Sequence, residues 1–378
     1  MSWKKTTLGK TVNLKRGYDL TSDERKNGGT PVVSSSGITG THDEAMADGP
    51  GVVTGRYGSL GSVYYIEEDF WPHNTTLYVE DFKGNHPRFV YYLLKSLDLE
   101  RYSATTSVPG LNRNDLHRMG VKLPPLSTQR RIANILGALD DKIELNRQMN
   151  QTLEAMAQAL YRHWFVDFGP FQDEPFQDSE LGPIPEGWKV KPISDVVKMK
   201  GGSTPRTSVD EYWQGGDITW FTPTDLTSAE QMYLTRSDRQ ITEEGLNSCS
   251  TNYIPPYSLM MTSRATVGVV AFNRTRACTN QGFINIMPQD EVSRFQVYFW
   301  IDQMMPEIMA RADGSTYPEI SQRDFKPLPI LVPPQEDVED YIRQSQDLFD
   351  LIENNILESD TLAETRDYLL PKLISGEI

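Results

Sequence analysis

An internal repeat limits the folds open to this chain more than any other feature of its sequence. Residues 124–168 and 333–376 match at a constant offset of 209, which aligns Pro124 with Pro333 and Leu153 with Leu362. A second match begins each half at an offset of 185 and aligns Trp3, Leu8, Val12, Leu14 and Gly17 with Trp188, Ile193, Val197, Met199 and Gly202. A repeat of about 190 residues is too long for a solenoid and is typical of a duplicated domain. We therefore predict two globular domains, each followed by a long helix.

Each half combines strand-like runs with one helical run. Val, Ile, Tyr, Phe and Thr are enriched between glycines in residues 51–66, 75–80, 258–272 and 282–288, which is typical of strands in a curved sheet. Apolar residues at helical spacing predict one helix in residues 89–102 and one in 295–312. The predicted class is α+β, with two tandem domains related by a pseudo-two-fold repeat.

The two long repeats have apolar residues three and four positions apart, which predicts a pair of antiparallel coiled-coil helices. The expected seam consists of Ile132, Leu139, Ile143, Asn146, Leu153, Leu160, Leu348, Ile352, Asn355, Leu362 and Leu369, together with Ile135, Trp164 and Leu373. A helix from Thr128 to Phe165 would span about 57 Å. Gly169 and Pro170 are expected to stop the first helix, and Pro371 to end or kink the second.

These patterns predict five segments. They are a first globular domain (1–123), a first long helix (124–168), a linker (169–187), a second globular domain (188–332), and a second long helix with the C-terminal tail (333–378). The second half carries 24 more residues between its landmarks than the first. Asn146 and Asn355 are polar residues within an apolar seam, where they are expected to fix the register of the helices.

Charge and composition exclude several classes of protein. Of the net charge of −15, −14 lies in residues 124–187 and 331–378, so the globular halves are nearly neutral and can carry basic faces. The sequence has two cysteines and five histidines without metal-ligand spacing, which predicts neither a disulfide framework nor a metal site. No apolar run is long enough to span a membrane, and we expect a cytoplasmic protein.

Two segments resemble the specificity subunits of type I restriction-modification systems. They are ELGPIPEGWK at Glu180–Lys189 and LPPLSTQRRIANILGALDDKIELN at Leu123–Asn146, and the order of domain, helix, domain, helix agrees with that family. The resemblance implies that each globular half is a target recognition domain, which reads one part of a bipartite site in double-stranded DNA. It also implies that the helices set the spacing between these parts.

The resemblance further implies partner subunits. Methyltransferase subunits, expected to be two, would dock on the helices, and restriction or translocase subunits would join through the complex. S-adenosylmethionine, ATP and magnesium would bind to those partners, so this chain would have no cofactor and no catalytic residue. The second helix begins PPQEDVEDYI, which is more acidic and lacks the Gln-Arg/Lys-Ile pattern of the first helix start (QRRI at 129–132). The expectation that partners dock equally at both helices is therefore weaker.

One motif raises the possibility of catalysis by the chain itself. Ile254-Pro255-Pro256-Tyr257 is close to the Asn/Asp-Pro-Pro-Tyr motif of adenine methyltransferases. Ile254 cannot hydrogen-bond the amino group of a flipped base, and no glycine-rich cofactor motif accompanies it, so a plain turn is favoured. The sequence also lacks a phosphate-binding GxxxxGK[ST] motif.

Polar residues at matching places in the two halves are the candidates for DNA contact. Arginine pairs with guanine or phosphate, and asparagine or glutamine with adenine. The candidates are Arg56, Tyr57, Asn74 and Thr75 in the first half and Arg264, Asn280 and Gln281 in the second. The alternatives are ordinary surface or salt-bridged arginines, and turn asparagines bonded to their own backbone.

Three further segments are weaker candidates. Ser35 lies in a polar loop. Arg113 is the last residue of the loop Ser107–Arg113, and Arg323 follows the loop Gly314–Ile320, which contains Tyr317. These loops resemble the one that precedes the last element of the family's recognition domains, but packing on the helix base explains them equally well. An alternative function for the whole chain is a two-headed scaffold that binds proteins rather than specific DNA.

Overall fold

The computed structural model describes residues 3–99, 101, 110–229, 231–314 and 317–378. Contacts divide the chain into a first unit, Met1–Leu145 with Ser359–Ile378, and a second unit, Asn146–Glu358. These divisions fall inside the two long helices, whereas the repeat places domain limits at 123 and 332. The limits drawn from the repeat stay a prediction about independently exchangeable domains.

The first half begins with short strands and ends with the first long helix. Its elements are β1 (Lys4–Thr7), α1 (Leu8–Thr11), β2 (Asn13–Arg16), β3 (Thr30–Ser34), β4 (Gly37–His42), β5 (Gly51–Gly55), β6 (Val63–Ile66), β7 (Trp71–Pro72), β8 (Thr76–Asp81), α2 (Pro87–Lys95), α3 (Arg113–Arg118), β9 (Gly120–Leu123) and α4 (Leu126–Phe165).

The second half repeats this order with additions. Its elements are β10 (Phe176–Ser179), β11 (Gly182–Pro185), β12 (Lys189–Pro192), α5 (Ile193–Val196), β13 (Val197–Lys200), β14 (Ile218–Phe221), α6 (Pro223–Ala229), β15 (Tyr233–Leu234), β16 (Gln240–Ile241), α7 (Glu243–Asn247), β17 (Leu259–Thr262), β18 (Val270–Asn273), β19 (Cys278–Thr279), β20 (Phe283–Pro288), α8 (Arg294–Gln303), α9 (Met305–Arg311), α10 (Gln322–Phe325), β21 (Pro329–Val332) and α11 (Gln335–Ser375).

The sheets of the two halves correspond strand by strand. The main sheet has the order β2-β8-β5-β6 in the first half and β13-β20-β17-β18-β15 in the second. Each half also has a small mixed sheet, in which β3 pairs antiparallel with β4 and parallel with β7, and β14 does the same with β16 and β19. The first and last strands close each half as β1-β9 and β12-β21. The predicted α+β class and its internal repeat are confirmed.

Most of the extra residues of the second half lie within its small sheet. Val32 pairs with Trp71, 39 residues later, whereas Trp220 pairs with Cys278, 58 residues later. The difference accounts for 19 of the 24 additional residues. The segment between β14 and β19 is therefore where the second half departs from the first.

Three expectations about helices are corrected. Residues 295–312 form two helices rather than one, because α8 ends at Gln303 and α9 begins at Met305 with Pro306 in its first turn. The helix predicted over 89–102 ends at Lys95. The second long helix continues through Pro371 to Ser375, so of the two expected effects of this proline, an end or a kink, it does not end the helix. Burial of Leu370, Leu373 and Ile374 in the core offsets the hydrogen bond that proline cannot donate.

The two long helices pack antiparallel in each unit. In the first unit, Ile132 and Leu136 share a core with Leu373, and the Arg366 guanidinium lies 2.7 Å from the Asp140 carboxylate. In the second, the ring of Phe165 meets that of Tyr341 edge-on with centroids 4.9 Å apart.

The predicted seam residues are buried or half-buried, with one exception. Ile132, Asn146 and Ile352 are buried, and Leu139, Ile143, Leu153, Leu160, Leu348, Asn355, Leu362 and Leu369 are half-buried. Ile135 is 38% exposed, because Leu136, which is fully buried, takes the core position beside it.

A layer of asparagines crosses the helix pair within the second unit. The Asn146 amide donates to the Asn355 carbonyl oxygen (3.3 Å) and to the Glu358 carboxylate (2.9 Å). The Asn355 amide donates to the side-chain oxygen of Asn150 (2.8 Å). Asn146 and Asn355 are equivalent residues of the repeat, so here the two helices contact each other through matching positions. Sequence reasoning did not identify Asn150.

Candidate nucleic-acid interface

Three loops of the first half meet at Thr75. The backbone N–H groups of Arg56 and Tyr57 donate to the Thr75 carbonyl oxygen at 2.8 and 3.2 Å. The N–H of Ser35 donates to the Thr75 hydroxyl oxygen at 3.2 Å. The structure thus brings together four predicted contact residues, Ser35, Arg56, Tyr57 and Thr75, that lie up to 40 residues apart in the sequence.

Glycines and a histidine allow this close approach. A Cβ on Gly55 would overlap the Ser59 carbonyl oxygen, and a Cβ on Gly17 would overlap that of His73. The His73 N–H donates to the Val33 carbonyl oxygen (2.8 Å), and its ring nitrogen Nδ1 lies 3.1 Å from the Thr75 hydroxyl. The loops are therefore fixed by backbone contacts, which leaves the arginine side chain for other partners.

The Arg56 side chain is held against an aromatic ring. Its guanidinium lies 4.4 Å from the centroid of Tyr57, which is 36% exposed. Gly110 also packs against this ring, so closely that a Cβ at position 110 would overlap Tyr57. Within the described residues, Arg56 forms no ion pair with a carboxylate. Stacking leaves the edge N–H groups of a guanidinium available for a planar acceptor.

Asn74 has a partner within the protein. Its amide donates to the Asp19 carboxylate, which also lies 3.0 Å from the Arg16 guanidinium. The Asn74 hydrogen bond and Arg16 lower the pKa of Asp19. The donor that bonds Asp19 is thus not free to pair with adenine. The alternative interpretation expected Asn74 to bond its own backbone, whereas the partner found here is a side chain.

Arg264 occupies the matching loop of the second half but is salt-bridged. Its Nε and terminal nitrogen donate to the two carboxylate oxygens of Glu319 at 3.0 and 2.7 Å. This pair raises the pKa of the Arg264 guanidinium. The neighbouring Ser263 N–H donates to the Gly282 carbonyl oxygen (2.8 Å), as Arg56 does to Thr75. The backbone bond of the first half is thus repeated in the second. The Arg264 side chain, however, is salt-bridged, which was the alternative to DNA contact for the arginines.

The two amides of the second half also have internal partners. Asn280 accepts from the N–H of Gly282 (2.8 Å), which is the turn bond of the alternative interpretation. Gln281 accepts from the Thr204 hydroxyl (2.6 Å) and its side chain is exposed. Their amide N–H donors are directed away from these bonds.

The loops that precede the last strands are only partly described. Ser107–Pro109 and Ser315–Thr316 lie outside the described residues. Arg113 is exposed at the start of α3, and Tyr317 is 67% exposed. Arg323 pairs with the adjacent Asp324 at 3.1 Å and its side chain is 84% exposed.

Sequence reasoning missed a group of arginines stacked on aromatic rings in the second unit. The Arg239 guanidinium lies 3.6 Å from the ring centroid of Trp213, and that of Arg276 lies 3.4 Å from Tyr253. The repeat could not reveal them because the segment containing Arg239 and Tyr253 has no counterpart of the same length in the first half. The available signal in the sequence was the presence of Trp, Tyr and Arg together in this part of the second half.

The Ile254-Pro255-Pro256-Tyr257 motif forms a turn after a buried residue. Ile254 is fully buried and Tyr257 has a φ of 62°. The Pro255 carbonyl oxygen accepts from Ser258 (2.8 Å) and Asn273 (2.7 Å), and the Tyr257 hydroxyl donates to Glu353 (3.2 Å). The polar groups of this motif therefore have structural partners.

Metal sites and membrane-spanning helices are not found in the part of the chain that the structure describes. No group of three or more His, Cys, Asp or Glu side chains there has the geometry to hold a metal ion. No helix among these residues combines the length and apolar character needed to cross a bilayer.

The family is established by comparison with known sequences. The model of the type I restriction modification DNA specificity domain matches residues 2–155 and 185–364 of this chain. The two matches correspond to the two halves of the repeat and together cover most of the sequence. The chain therefore belongs to the family of type I restriction-modification specificity subunits.

Two relatives and one solved structure agree with this assignment. The MjaIX specificity subunit of Methanocaldococcus jannaschii is 39% identical over 189 residues, which is 50% of this chain and 44% of that subunit. The HindI specificity subunit of Haemophilus influenzae is 28% identical over 358 residues, covering 77% of each chain. The crystal structure of an S subunit from M. genitalium has the same fold, with a TM-score of 0.62, 15% identity, and coverage of 99% of this chain and 96% of that one.

Proposed function

We propose that this chain selects the DNA site at which a type I restriction-modification assembly acts. The observation that carries the proposal is the duplicated loop cluster, in which corresponding strands present Arg56 and Arg264 beside the loops at Thr75 and Gly282. Two copies of one reading surface are suited to a bipartite target in double-stranded DNA. Each half would read one part of that target.

The loop chemistry supports contact with a duplex. Arg56 is stacked and unpaired within the described residues, which suits a bidentate contact with guanine or phosphate. Serine and threonine at positions 35 and 75 are suited to phosphate or base-edge hydrogen bonds. Arg264 would contact DNA only after exchanging Glu319 for a nucleic-acid acceptor.

The long helices would serve as a ruler and as docking surfaces for methyltransferase subunits. The asparagine layer at Asn146 and Asn355 supports this role, because a buried polar layer disfavours shifted pairings of an apolar seam. The acidic start of α11, with Glu336 and Asp337 in its first turn, suggests that the two docking sites differ. We expect two methyltransferase subunits, joined by restriction or translocase subunits.

Catalysis would belong to those partners. S-adenosylmethionine, ATP and magnesium would bind to them, and this chain would contribute target choice without a catalytic residue. The assembly would act in the cytoplasm, where it meets DNA.

Mapping methylated adenines across a genome, with and without this chain, tests the proposal. We expect a split sequence motif to be methylated only when the chain is present with its methyltransferase subunits. If the same motif is methylated with and without the chain, or if no motif is methylated in either case, the proposal is contradicted. The alternative of a protein-binding scaffold predicts equal affinity for the motif duplex and a random duplex in competition at one stated salt concentration.

A further inference from the structure

The second unit carries a basic and aromatic surface outside the predicted contact residues. A small core of Ile218, Trp220, Ile241 and Cys278 supports it, and the half-buried rings of Trp213 and Tyr253 pack against this core. Four exposed cations surround these rings: Lys200, Arg206, Arg239 and Arg276. We call this surface the Trp213–Tyr253 patch.

The rings hold two of the cations in place. The guanidiniums of Arg239 and Arg276 lie 3.6 and 3.4 Å from the ring centroids of Trp213 and Tyr253. At these distances the guanidiniums lie on the ring faces, so their edge N–H donors stay open to an acceptor.

The other two basic residues are hydrogen-bonded to the same two aromatic residues, in each case through one backbone carbonyl oxygen. The Lys200 ammonium donates to the Tyr253 carbonyl oxygen (3.2 Å), and the Trp213 indole N–H donates to the Arg206 carbonyl oxygen (3.1 Å).

These cations lack the carboxylate partners that other basic residues of the unit have. Arg264, Arg274, Arg311 and Arg323 form ion pairs with Glu319, Glu353, Glu307 and Asp324. Within the residues that the structure describes, none of the four patch cations forms such a pair. One carboxylate contacts the patch through a ring rather than a cation: Glu243 accepts from the Tyr253 hydroxyl at 3.3 Å.

The patch is continuous with the loops that carry Asn280 and Gln281. The Ser203 carbonyl oxygen accepts from the Trp220 indole (3.0 Å), while the Ser203 N–H donates to the Thr279 carbonyl oxygen (3.0 Å). Thr204 donates to Gln281 (2.6 Å). A duplex that contacts these loops would therefore meet the patch.

The part of the first half that the structure describes engages its cations differently. In the corresponding region, Arg25 donates to the Thr39 carbonyl oxygen (2.7 Å) and Lys26 pairs with Asp43 (3.5 Å). Half of the six patch residues, Arg239, Tyr253 and Arg276, belong to the segment between β14 and β19 that is longer in the second half.

We propose that the Trp213–Tyr253 patch binds the phosphate backbone of DNA beside the second half-site. This inference rests on the proposed function and adds a positioning surface to it. Four cations on one exposed face provide charge for phosphates, and the stacked guanidiniums provide fixed donors. Such contacts hold a duplex in register without reading its sequence.

The salt dependence of binding tests the proposal. The full chain, assembled with its methyltransferase subunits, is titrated with the duplex that methylation mapping identifies and with a random duplex of equal length. For the double variant R239A/R276A, we expect weaker binding to both duplexes and a slope of log K against log salt that is smaller by about two. The ratio of the two affinities should stay as in the wild type. R239K/R276K should restore the slope, since it keeps the charge.

A matched control separates phosphate contact from general electrostatics. K191A/R311A removes the same charge from residues whose side chains pair with Glu291 and Glu307. An unchanged slope in R239A/R276A, an equal loss in the control, or a change of base preference at constant slope would each overturn the patch. Wild-type protein that binds both duplexes equally would instead overturn the proposed function.

Discussion

The loops at Arg56 and Arg264 follow corresponding strands of the repeat but give their arginines different environments. Arg264 lies one residue beyond Ser263, whose N–H makes the bond equivalent to that of Arg56. Arg56 stacks on the adjacent Tyr57, whereas Arg264 forms a bidentate pair with Glu319, 55 residues later. The strands beneath them pair in the same order. The duplicated backbone therefore repeats the loop, while the availability of its arginine to a ligand depends on the partner that each half supplies.

Among the changes that test whether the two halves act independently, exchange of a whole domain should alter the DNA target most. Replacing residues 18–123 with the matching domain of a relative should change one half of the target and leave the other half unchanged. The reason is that the two halves have separate sheets and that each unit has its own core. Methylation mapping measures the outcome, with the wild-type chain as control. Loss or change of both half-sites together would show that the halves do not read independently.

Lengthening both helices should change the spacing between the half-sites. Four residues inserted after Asn146 and after Asn355, which contact each other, add about 6 Å, or a little more than one turn. At 3.4 Å per base pair, the recognised gap should grow by one or two base pairs while the half-sequences stay the same.

The control for this insertion lengthens one helix only, which should misalign the seam and reduce stability. Methylation mapping of both variants reports the spacing. If a folded variant with both insertions, still able to bind its partners, methylates the original spacing with the original efficiency, the helices are not the ruler.

Arg56→Ala should weaken recognition of the first half-site alone. A bidentate contact with a base contributes about 1 to 3 kcal/mol of discrimination, equivalent to roughly 5- to 150-fold in affinity. Binding to duplexes altered in one half-site measures the effect. Arg56→Lys is the control, because it keeps the charge but not the planar pair of donors. Equal weakening on every sequence would assign Arg56 to a phosphate instead.

Arg264 should give the smallest change, restricted to the second half-site. Its side chain and that of Glu319 are 49% and 44% exposed, so their pair contributes only about 0 to 1 kcal/mol, and DNA has to displace it. Arg264→Ala should therefore reduce affinity less than Arg56→Ala does.

Glu319→Gln sharpens this prediction. Removing the carboxylate charge should increase affinity for the second half-site by less than about tenfold. The same competition assay compares both variants. An effect of Arg264→Ala as large as that of Arg56→Ala, or no gain from Glu319→Gln, would show that the ion pair does not restrain Arg264.

The sequence by itself determined the architecture of this protein. The constant offset from Leu153 to Leu362 predicts a duplicated unit, and apolar spacing along residues 124–168 and 333–376 predicts the long helices. The structure has these helices at Leu126–Phe165 and Gln335–Ser375. These properties are local and periodic, so they are readable without coordinates. The loop positions of Arg56 and Arg264 follow from the same repeat.

Only the tertiary structure decided which side chains are engaged. It paired Arg264 with Glu319 and Asn74 with Asp19, stacked Arg239 on Trp213, and added Asn150 to the polar layer of the helices. It also buried Leu136 rather than Ile135. Each of these outcomes depends on contacts between residues distant in sequence or on the angle at which a helix packs, and hydrophobic periodicity specifies neither.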